Sequence, residues 1–376
     1  MLRLRINPLQ PTLPDLPVRR VQEMGLKELE RIRLILRGGS IIDWRRLHFQ
    51  ARDEVDRFLR LCQIDPSNPH DEAWARTVLG DAVEYLRRTF NYRVAEAVAH
   101  PSQIHDLFLY ASGSKEPHRY RKIACIVLKV MHVIQHIEGR DLLYRLAISE
   151  EQLQELVTAR VIAVAREIHT KGLPVTEFTP SMKTLESIVT KLLAKKETVA
   201  AQIYDKIRFR IVTKTQPDIL PVLYFLSQRL FPFNFVIPGQ TENTLVNFKA
   251  LLVEHPHLAS YAHQLHLDVD YEASETNEPN QFSGSTYRML SFVADIPVRL
   301  DAYLPPPADD HRPRKGRIGF ALVEFQIVDE QTAIHNEQGD NAHERYKNRQ
   351  KLRVLGRLSR GLVVPRKGPD GGEVES

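Results

Sequence analysis

The stretch that decides the fold runs from Val323 to Lys347 and reads VEFQIVDEQTAIHNEQGDNAHERYK. Its first residues alternate between apolar and polar side chains, which predicts a β-strand with one buried face. Glu324 and Gln326 fall on the opposite face, where a carboxylate and an amide would face a cleft. The end of the stretch returns to helical spacing, which brings His343 and Lys347 within one turn of each other.

The composition is that of a soluble globular protein with a mildly basic charge. A chain of 376 residues is long enough for about two or three domains. Hydrophobic residues make up 43% and charged residues 26%, and the net charge of +5 is compatible with nucleotide phosphates or RNA as partners. The two cysteines, Cys62 and Cys125, are far apart, which argues against a disulfide framework or a cysteine-rich zinc site. Because neither a secretory signal nor a membrane-spanning run is recognisable, we expect a cytoplasmic protein without a membrane partner.

Two segments upstream of the opening stretch also combine regular structure with charge. Thr179 and Pro180 predict the start of a helix, as N-cap and first helical residue. A polar series of three lysines and a serine then recurs every four residues, at Lys183, Ser187, Lys191 and Lys195. A basic ridge of such point charges can hold a polyphosphate. Residues 203–212 alternate like a strand that carries Asp205 and Arg210, and residues 218–231 predict a helix. Together these elements predict a mixed sheet flanked by helices.

In their order along the chain, these segments resemble the synthetase domain of RelA/SpoT-like alarmone synthetases. That family has E-I-Q-I-R-T and then E-Y-G-x-A-A-H-W-x-Y-K, against E-F-Q-I-V-D from Glu324 and E-Q-G-D-N-A-H-E-R-Y-K from Glu337 here. The family motif R-x-K-x-x-x-S-I-x-x-K is similar to residues 181–191, although Ser181 replaces the arginine. The motif D-x-x-x-x-R-[IV] is similar to residues 205–211, and G-Y-[QR]-x-[LI]-H is similar to residues 286–291 without its glycine and histidine.

The resemblance implies an α+β fold, in which an N-terminal all-helical domain precedes a nucleotidyltransferase-like mixed β-sheet flanked by helices. It implies a pyrophosphokinase, in which a ribose 3′-hydroxyl attacks the β-phosphorus of ATP and AMP leaves, with Mg²⁺ as cofactor. Asp205 and Glu324 would be the metal ligands and, with Gln326, the catalytic residues; Glu324 would also be the base. ATP and its phosphates would bind at Lys183, Ser187, Lys191 and Arg210, and the acceptor would bind at Tyr287, Arg288 and His343.

The acceptor side departs most from the resembled family. The family loop P-G-R-F-K-D-Y holds the acceptor with basic residues, whereas Gln-Thr-Glu-Asn-Thr follows Pro238-Gly239 here. An acidic insertion over about residues 246–282 comes next. Three functions therefore stay open: pyrophosphate transfer to a guanosine nucleotide with a (p)ppGpp-type product, toxin-like transfer to a tRNA 3′ end, or a catalytically inactive nucleotide-binding or interaction module. Retention of both Asp205 and Glu324 favours an active enzyme.

We predict four regions along the chain, and a homo-oligomer is compatible with them. They are an irregular arm over residues 1–20, a helical domain over 21–172, the synthetase-like domain over 173–350 and a basic, partly disordered tail over 351–376. A capping box at Ser149–Gln152 predicts the start of a long helix. Long members of the resembled family carry a metal-dependent hydrolase in front, with His-Asp ligands. His70-Asp71 and His105-Asp106 lack the surrounding pattern, so we expect surface or capping residues and no hydrolase activity.

Overall fold

The computed structural model describes residues 11–38, 48–146, 148–182, 207–265, 287–305 and 315–337, together with isolated positions in 186–193 and 351–374. The first half of this described chain is helical, with α1 (Leu26–Arg37), α2 (Arg52–Leu61), α3 (Pro69–Phe90), α4 (Glu96–Ala99), α5 (Ile104–Ser112), α6 (Arg121–Arg145) and α7 (Glu150–Thr170). The second half adds α8 (Ile219–Arg229), α9 (Phe248–Glu254), α10 (Pro256–Gln264) and α11 (Glu330–Asn336).

The helix ends follow local capping chemistry. The predicted capping box of α7 is confirmed, because the Ser149 hydroxyl accepts from the Gln152 N–H at 3.2 Å and the Gln152 side chain accepts from the Ser149 N–H at 2.9 Å. Helix α3 begins at Pro69, upstream of the apolar pattern, because Asn68 caps its first turn. Among the described residues, no helix is long and apolar enough to cross a membrane.

One five-stranded sheet organises the second half. Its strands are β1 (Val175–Met182), β2 (Ile207–Thr213), β3 (Glu242–Asn243), β4 (Leu290–Arg299) and β5 (Ile318–Asp329), in the spatial order β1-β2-β5-β4-β3. Strands β2 and β5 pair in parallel, and the other neighbours pair antiparallel. A separate short pairing joins β6 (Arg366–Lys367) to β7 (Glu373–Val374). Helices packed on a mixed sheet confirm the predicted α+β class.

A local helix prediction on this part of the chain is wrong. Thr179 and Pro180 do not open a helix, since both lie in β1, opposite Arg210 and Phe209 of β2. Strand β1 is at the edge of the sheet, where a proline without an N–H is tolerated. The connection after β5 begins with a short helix. This helix is α11, and its first turn is capped by the Asp329 carboxylate at 3.0 Å from the Thr332 N–H.

The two faces of the sheet differ in chemistry. Phe209, Phe292 and Phe325 are fully buried on one face, and their rings stack across β2, β5 and β4 at centroid distances of 6.0 and 5.4 Å. The other face is polar at its centre. At one end helix α6 covers it, where Gly139 lies against the ring of Phe320. The apolar core thus fixes the strands, and their alternation presents polar side chains on the opposite side.

Two buried arginines join the helices to the sheet. Arg160 of α7 donates to the carbonyl oxygen of Leu230 at 2.9 Å and to that of Pro297 in β4. Arg299, at the end of β4, pairs with Asp71 of α3 and also donates to the Gln63 carbonyl at 2.9 Å. The helical part and the sheet therefore share buried polar contacts as well as an apolar core.

The two His-Asp dipeptides have structural partners. Asp71 and Asp106 are both buried in the first turn of a helix, α3 and α5 respectively. Of the two expected placements, surface or capping, the surface one is therefore wrong for these aspartates. Asp71 pairs with Arg299, and Asp106 lies 2.6 Å from Lys115. Buried carboxylates of this kind need such partners to offset their desolvation. Within the described ranges, no group of three His, Cys, Asp or Glu side chains has a geometry that could hold a metal ion.

Candidate functional site

Glu324 is the centre of the polar sheet face. It lies in the middle of β5 and is 8% exposed. Its Oε2 accepts from Nε of Arg208 at 3.1 Å, and its Oε1 accepts from Oγ of Ser291 at 3.0 Å and from Nε2 of Gln326 at 2.9 Å. We refer to these four residues as the Glu324 cluster. A buried carboxylate is stable only with such donors, and here each oxygen has at least one.

Sheet register assembles the cluster from three strands. The parallel pairing of β2 and β5 sets Arg208 beside Glu324 and Arg210 beside Gln326. The antiparallel pairing of β4 and β5 sets Ser291 opposite Gln326. Because side chains alternate along each strand, all of these residues point to the same face.

A basic and aromatic rim borders the cluster. Arg210 lies 3.3 Å from a carboxylate oxygen of Glu337 and 3.9 Å from one of Glu177. The Tyr287 ring packs on a small apolar cluster that includes Val212 and Met289. Burial raises the pKa of the Tyr287 hydroxyl, while the charges of Arg210 and Arg208 act to lower this pKa, which places the hydroxyl within their field.

Arg288 lies next to this aromatic rim and is exposed. Its backbone N–H donates to Oδ1 of Asn336 in α11 at 3.1 Å, and its guanidinium donates to the carbonyl oxygen of Thr244 at 3.4 Å. The backbone is therefore fixed at this position, while a cationic side chain remains accessible to an incoming anion.

The described structure brings together some of the predicted site residues. The side chains of Glu324 and Gln326 form a hydrogen bond with each other. Arg210 is two residues along β2 from Arg208, on the same face of the sheet. The charges of both arginines affect the pKa of the Tyr287 hydroxyl. The other predicted site residues lie outside the described residues: Lys183, Ser187, Lys191, Asp205 and His343. The proximity of Asp205 to Glu324 therefore stays a prediction.

Sequence reasoning missed two members of the cluster, Arg208 and Ser291. Both carried a signal. Arg208 shares the alternation of Arg210, and Ser291 stands where the resembled family has histidine. The signals could not be interpreted without the register, which pairs positions 116 residues apart in the chain.

The described residues do not fit a resident Mg²⁺ at Glu324. Mg²⁺ binds through carboxylate oxygens, waters and substrate phosphates in octahedral geometry. Both oxygens of Glu324 accept from other groups, one of them a guanidinium. A cation at Oε2 would have to replace Arg208.

The loop after Pro238-Gly239, which corresponds to the acceptor loop of the resembled family, packs on the helical part of the chain. Thr241 is buried and its hydroxyl lies 3.4 Å from the carbonyl oxygen of Ile35 in α1. Gly38 follows α1 with a φ of +60°, and its Cα faces the Thr241 side chain. A Cβ at Gly38 would come within 2.9 Å of Thr241, so this contact and the positive φ both favour glycine.

Comparison with known proteins gives one kind of match. Neither a protein-family model nor a curated protein matches the sequence. Several solved structures do. The chain is similar to small alarmone synthetases. Small alarmone synthetase 1 from Bacillus subtilis, in a structure bound to its product pppGpp, is 15% identical with a TM-score of 0.30, over 55% of this chain and 86% of its own.

Two further structures are similar at the same level. Small alarmone synthetase 2 from Bacillus subtilis is 16% identical with a TM-score of 0.26, over 55% of this chain and 94% of its own. A GTP pyrophosphokinase family protein from Streptococcus pneumoniae is 14% identical with a TM-score of 0.28, over 57% of this chain and 93% of its own. These proteins are of the kind that the sequence motifs resemble. At these identities and TM-scores the matches do not establish what this chain does.

Proposed function

We propose that the protein is a pyrophosphokinase that transfers the β,γ-pyrophosphate of ATP to the 3′-hydroxyl of a guanosine nucleotide, with a (p)ppGpp-type product. The observation that carries this proposal is the Glu324 cluster, a carboxylate fixed by three donors, one of which is Arg208. A second arginine, Arg210, and the aromatic rim border it. The order of the sequence motifs supports the same reaction. Phosphoryl-type transfer needs positioning and charge neutralisation more than covalent catalysis, and these groups supply both.

In the proposed step one bond to phosphorus forms and one breaks, and residues of this site take up the proton and neutralise charge. The 3′-oxygen forms a bond to the β-phosphorus, the bond from that phosphorus to the α,β-bridging oxygen breaks, and AMP leaves with that oxygen. Glu324 takes the proton of the attacking hydroxyl, while Ser291 and Gln326 hold its carboxylate in orientation. Arg208 and Arg210 neutralise charge on the transferred group. Mg²⁺ is proposed to arrive as the magnesium complex of ATP, where it neutralises phosphate charge.

The rest of the proposed substrate site follows from the sequence motifs. Asp205 would complete the catalytic residues, Lys183, Ser187 and Lys191 would contact ATP, and His343 would shape the acceptor site. The Tyr287 ring would carry the acceptor base, and stacking of this kind contributes about 1–3 kcal/mol per base. Arg288 is exposed beside the ring and would contact the acceptor phosphates.

A tRNA 3′ end is the second candidate for the acceptor. The loop after Pro238 lacks the basic residues that would hold a 5′-polyphosphate, and Thr241 anchors it on α1. The 3′-terminal nucleotide of a tRNA carries a single phosphodiester on its 5′ side and needs fewer cations there. The net charge of +5 is compatible with contacts to the tRNA backbone.

The test is a transfer assay with ATP labelled on its γ-phosphate and with GDP, GTP or bulk tRNA as separate acceptors. We expect label in a guanosine nucleotide and a loss of at least about 100-fold in Glu324→Gln, because a positioned base contributes that much. The variant also loses a buried ion pair, at a cost of about 1–3 kcal/mol, so its melting temperature must be measured alongside. Transfer to tRNA alone would establish the second candidate. ATP binding without transfer to any acceptor would refute both and indicate a nucleotide-binding module.

A further inference from the structure

Arg208 is the member of the Glu324 cluster that the family motif does not account for. The motif D-x-x-x-x-R ends at Arg210, and Arg208 occupies one of its variable positions. Its Nε nevertheless donates to Oε2 of Glu324 at 3.1 Å, and the two side chains are 23% and 11% exposed. The proposed base is thus ion-paired inside its own protein.

The pair leaves Oε2 poorly suited to a metal ion. Oε1 already accepts from Ser291 and Gln326, so Oε2 is the oxygen on which a cation would have to bind. The Arg208 guanidinium lies at that oxygen. It blocks the oxygen sterically and repels a second positive charge, and the repulsion is weakly screened because Glu324 is buried.

The position of Arg208 also gives it an alternative partner. Its side chain is partly exposed, and its charge reaches the Tyr287 hydroxyl at the rim as well as Glu324. A polyphosphate that enters over the rim offers more negative charge than one carboxylate. Arginine forms strong, often bidentate, hydrogen bonds to phosphate oxygens.

We propose that Arg208 and a divalent cation compete for Glu324. In the nucleotide-free protein Arg208 prevents a metal ion from binding to the Glu324 carboxylate. A bound polyphosphate pairs with the guanidinium instead, so that the carboxylate becomes available to the cation. Nucleotide and cation therefore bind cooperatively, because each disfavours the closed pair. The identity of the polyphosphate as ATP rests on the proposed function, whereas the competition at Glu324 does not.

The experiment is a titration of the full-length protein with Mn²⁺ alone, followed by electron paramagnetic resonance of the free ion. We expect Arg208→Gln to bind one Mn²⁺ at least about tenfold more tightly than the wild type, because a like charge a few ångströms from the site is removed. Arg208→Gln combined with Glu324→Gln should lose this gain. Arg88→Gln is the charge-matched control, since Arg88 is 79% exposed and pairs with Glu84 on α3, and it should bind Mn²⁺ like the wild type.

Equal Mn²⁺ affinity of Arg208→Gln and the wild type, within about twofold, would overturn the proposal. If Arg208→Gln does not fold, the wild type provides the test through ¹⁵N NMR of arginine side chains, with Arg208→Lys to assign the Nε–H signal. Competition predicts that saturating Mg²⁺ changes this signal, and an unchanged signal at saturation would refute it. Neither measurement requires turnover. A negative transfer assay would therefore refute the proposed function without deciding whether Arg208 and a cation compete for Glu324.

Discussion

Asp295 is a second buried carboxylate on the polar face, four residues along β4 from Ser291. It is 2% exposed, and its Oδ2 lies 3.4 Å from Nε2 of His136 on α6. Burial raises the pKa of Asp295 to about 7, and the Arg140 charge only partly opposes this rise. Burial also lowers the pKa of His136 to about 4. Between these values both groups are neutral, so the contact between them is not an ion pair there.

We predict that Asp295→Asn becomes stabilising relative to the wild type as the pH rises. The pKa of Asp295 is higher in the folded state than in the unfolded chain, so the folded state binds the proton more tightly. Its contribution to stability is complete below about pH 4 and is lost as the pH rises to about 7, by at most about 1.4 kcal/mol per pH unit. The asparagine side chain does not titrate, so the variant has no such contribution to lose as the pH rises.

Melting temperatures of the two proteins between pH 4 and pH 8 provide the measurement. The difference, variant minus wild type, should increase up to about pH 7 and then stay constant. His136 acts in the opposite direction, but it is present in both proteins and largely cancels. A difference that is independent of pH would show that Asp295 titrates as an ordinary surface carboxylate.

At the scale of elements, Gly139 lets α6 approach β5 closely. A Cβ at Gly139 would lie 2.5 Å from two ring carbons of Phe320 and 2.9 Å from the carbonyl oxygen of Ile318. We predict that Gly139→Ala destabilises the protein by about 1–3 kcal/mol through overpacking, although alanine is the better helix former.

Gly80 of α3 is the matched control, because a Cβ there would meet nothing within 4 Å. We expect Gly80→Ala to stabilise the protein by up to about 1 kcal/mol, from helix propensity alone. Urea unfolding of both variants measures the two signs. If Gly139→Ala were stabilising too, α6 would not be packed tightly on the strand.

Sequence patterns predicted the elements whose signals are local. The strand β5 and the capping box of α7 each depend on a few neighbouring residues, and both elements are confirmed. The prediction of a single buried face on β5 is wrong, because most of its residues on both faces are buried. The prediction at Thr179 and Pro180 is wrong because a local helix signal was overridden by pairing with a distant strand. The donors of Glu324 could not be predicted for the same reason, since Arg208 and Ser291 reach it only through the register of three strands.

At the scale of the whole molecule, the ion pair between Arg299 and Asp71 connects helix α3 to the sheet. Arg299 also pairs with Asp301 at 2.6 Å, and these three side chains are almost completely buried. We predict that Arg299→Met costs about 3–5 kcal/mol, because it leaves the buried Asp71 carboxylate without its cation. Asp301 keeps a second cation, Arg317, at 2.6 Å.

A double-mutant cycle with Asp71→Asn tests this ion pair. The cost of the two changes together should be smaller than the sum of the single costs, because each single change leaves an uncompensated partner. Urea unfolding followed by circular dichroism and by tryptophan fluorescence should give one coincident transition, since Trp74 is in α3 and the sheet is joined to it. Additive losses of unfolding free energy would show that the two side chains do not interact. Two separate transitions would show that α3 and the sheet unfold independently.

The strand order has a consequence for biosynthesis. Strand β5 is the central strand of the sheet, yet it is the last of its five strands to be translated. A ribosome therefore releases β1, β2, β3 and β4 before β5, the common neighbour of β2 and β4, exists. During that interval β2 and β4 expose unpaired edges. The helices, whose contacts are more local, can fold while translation continues. A truncated product that stops before residue 318 would thus contain the helices and strands with unpaired edges, but not Glu324. Such a product would be a substrate for chaperones and proteases rather than an unregulated enzyme.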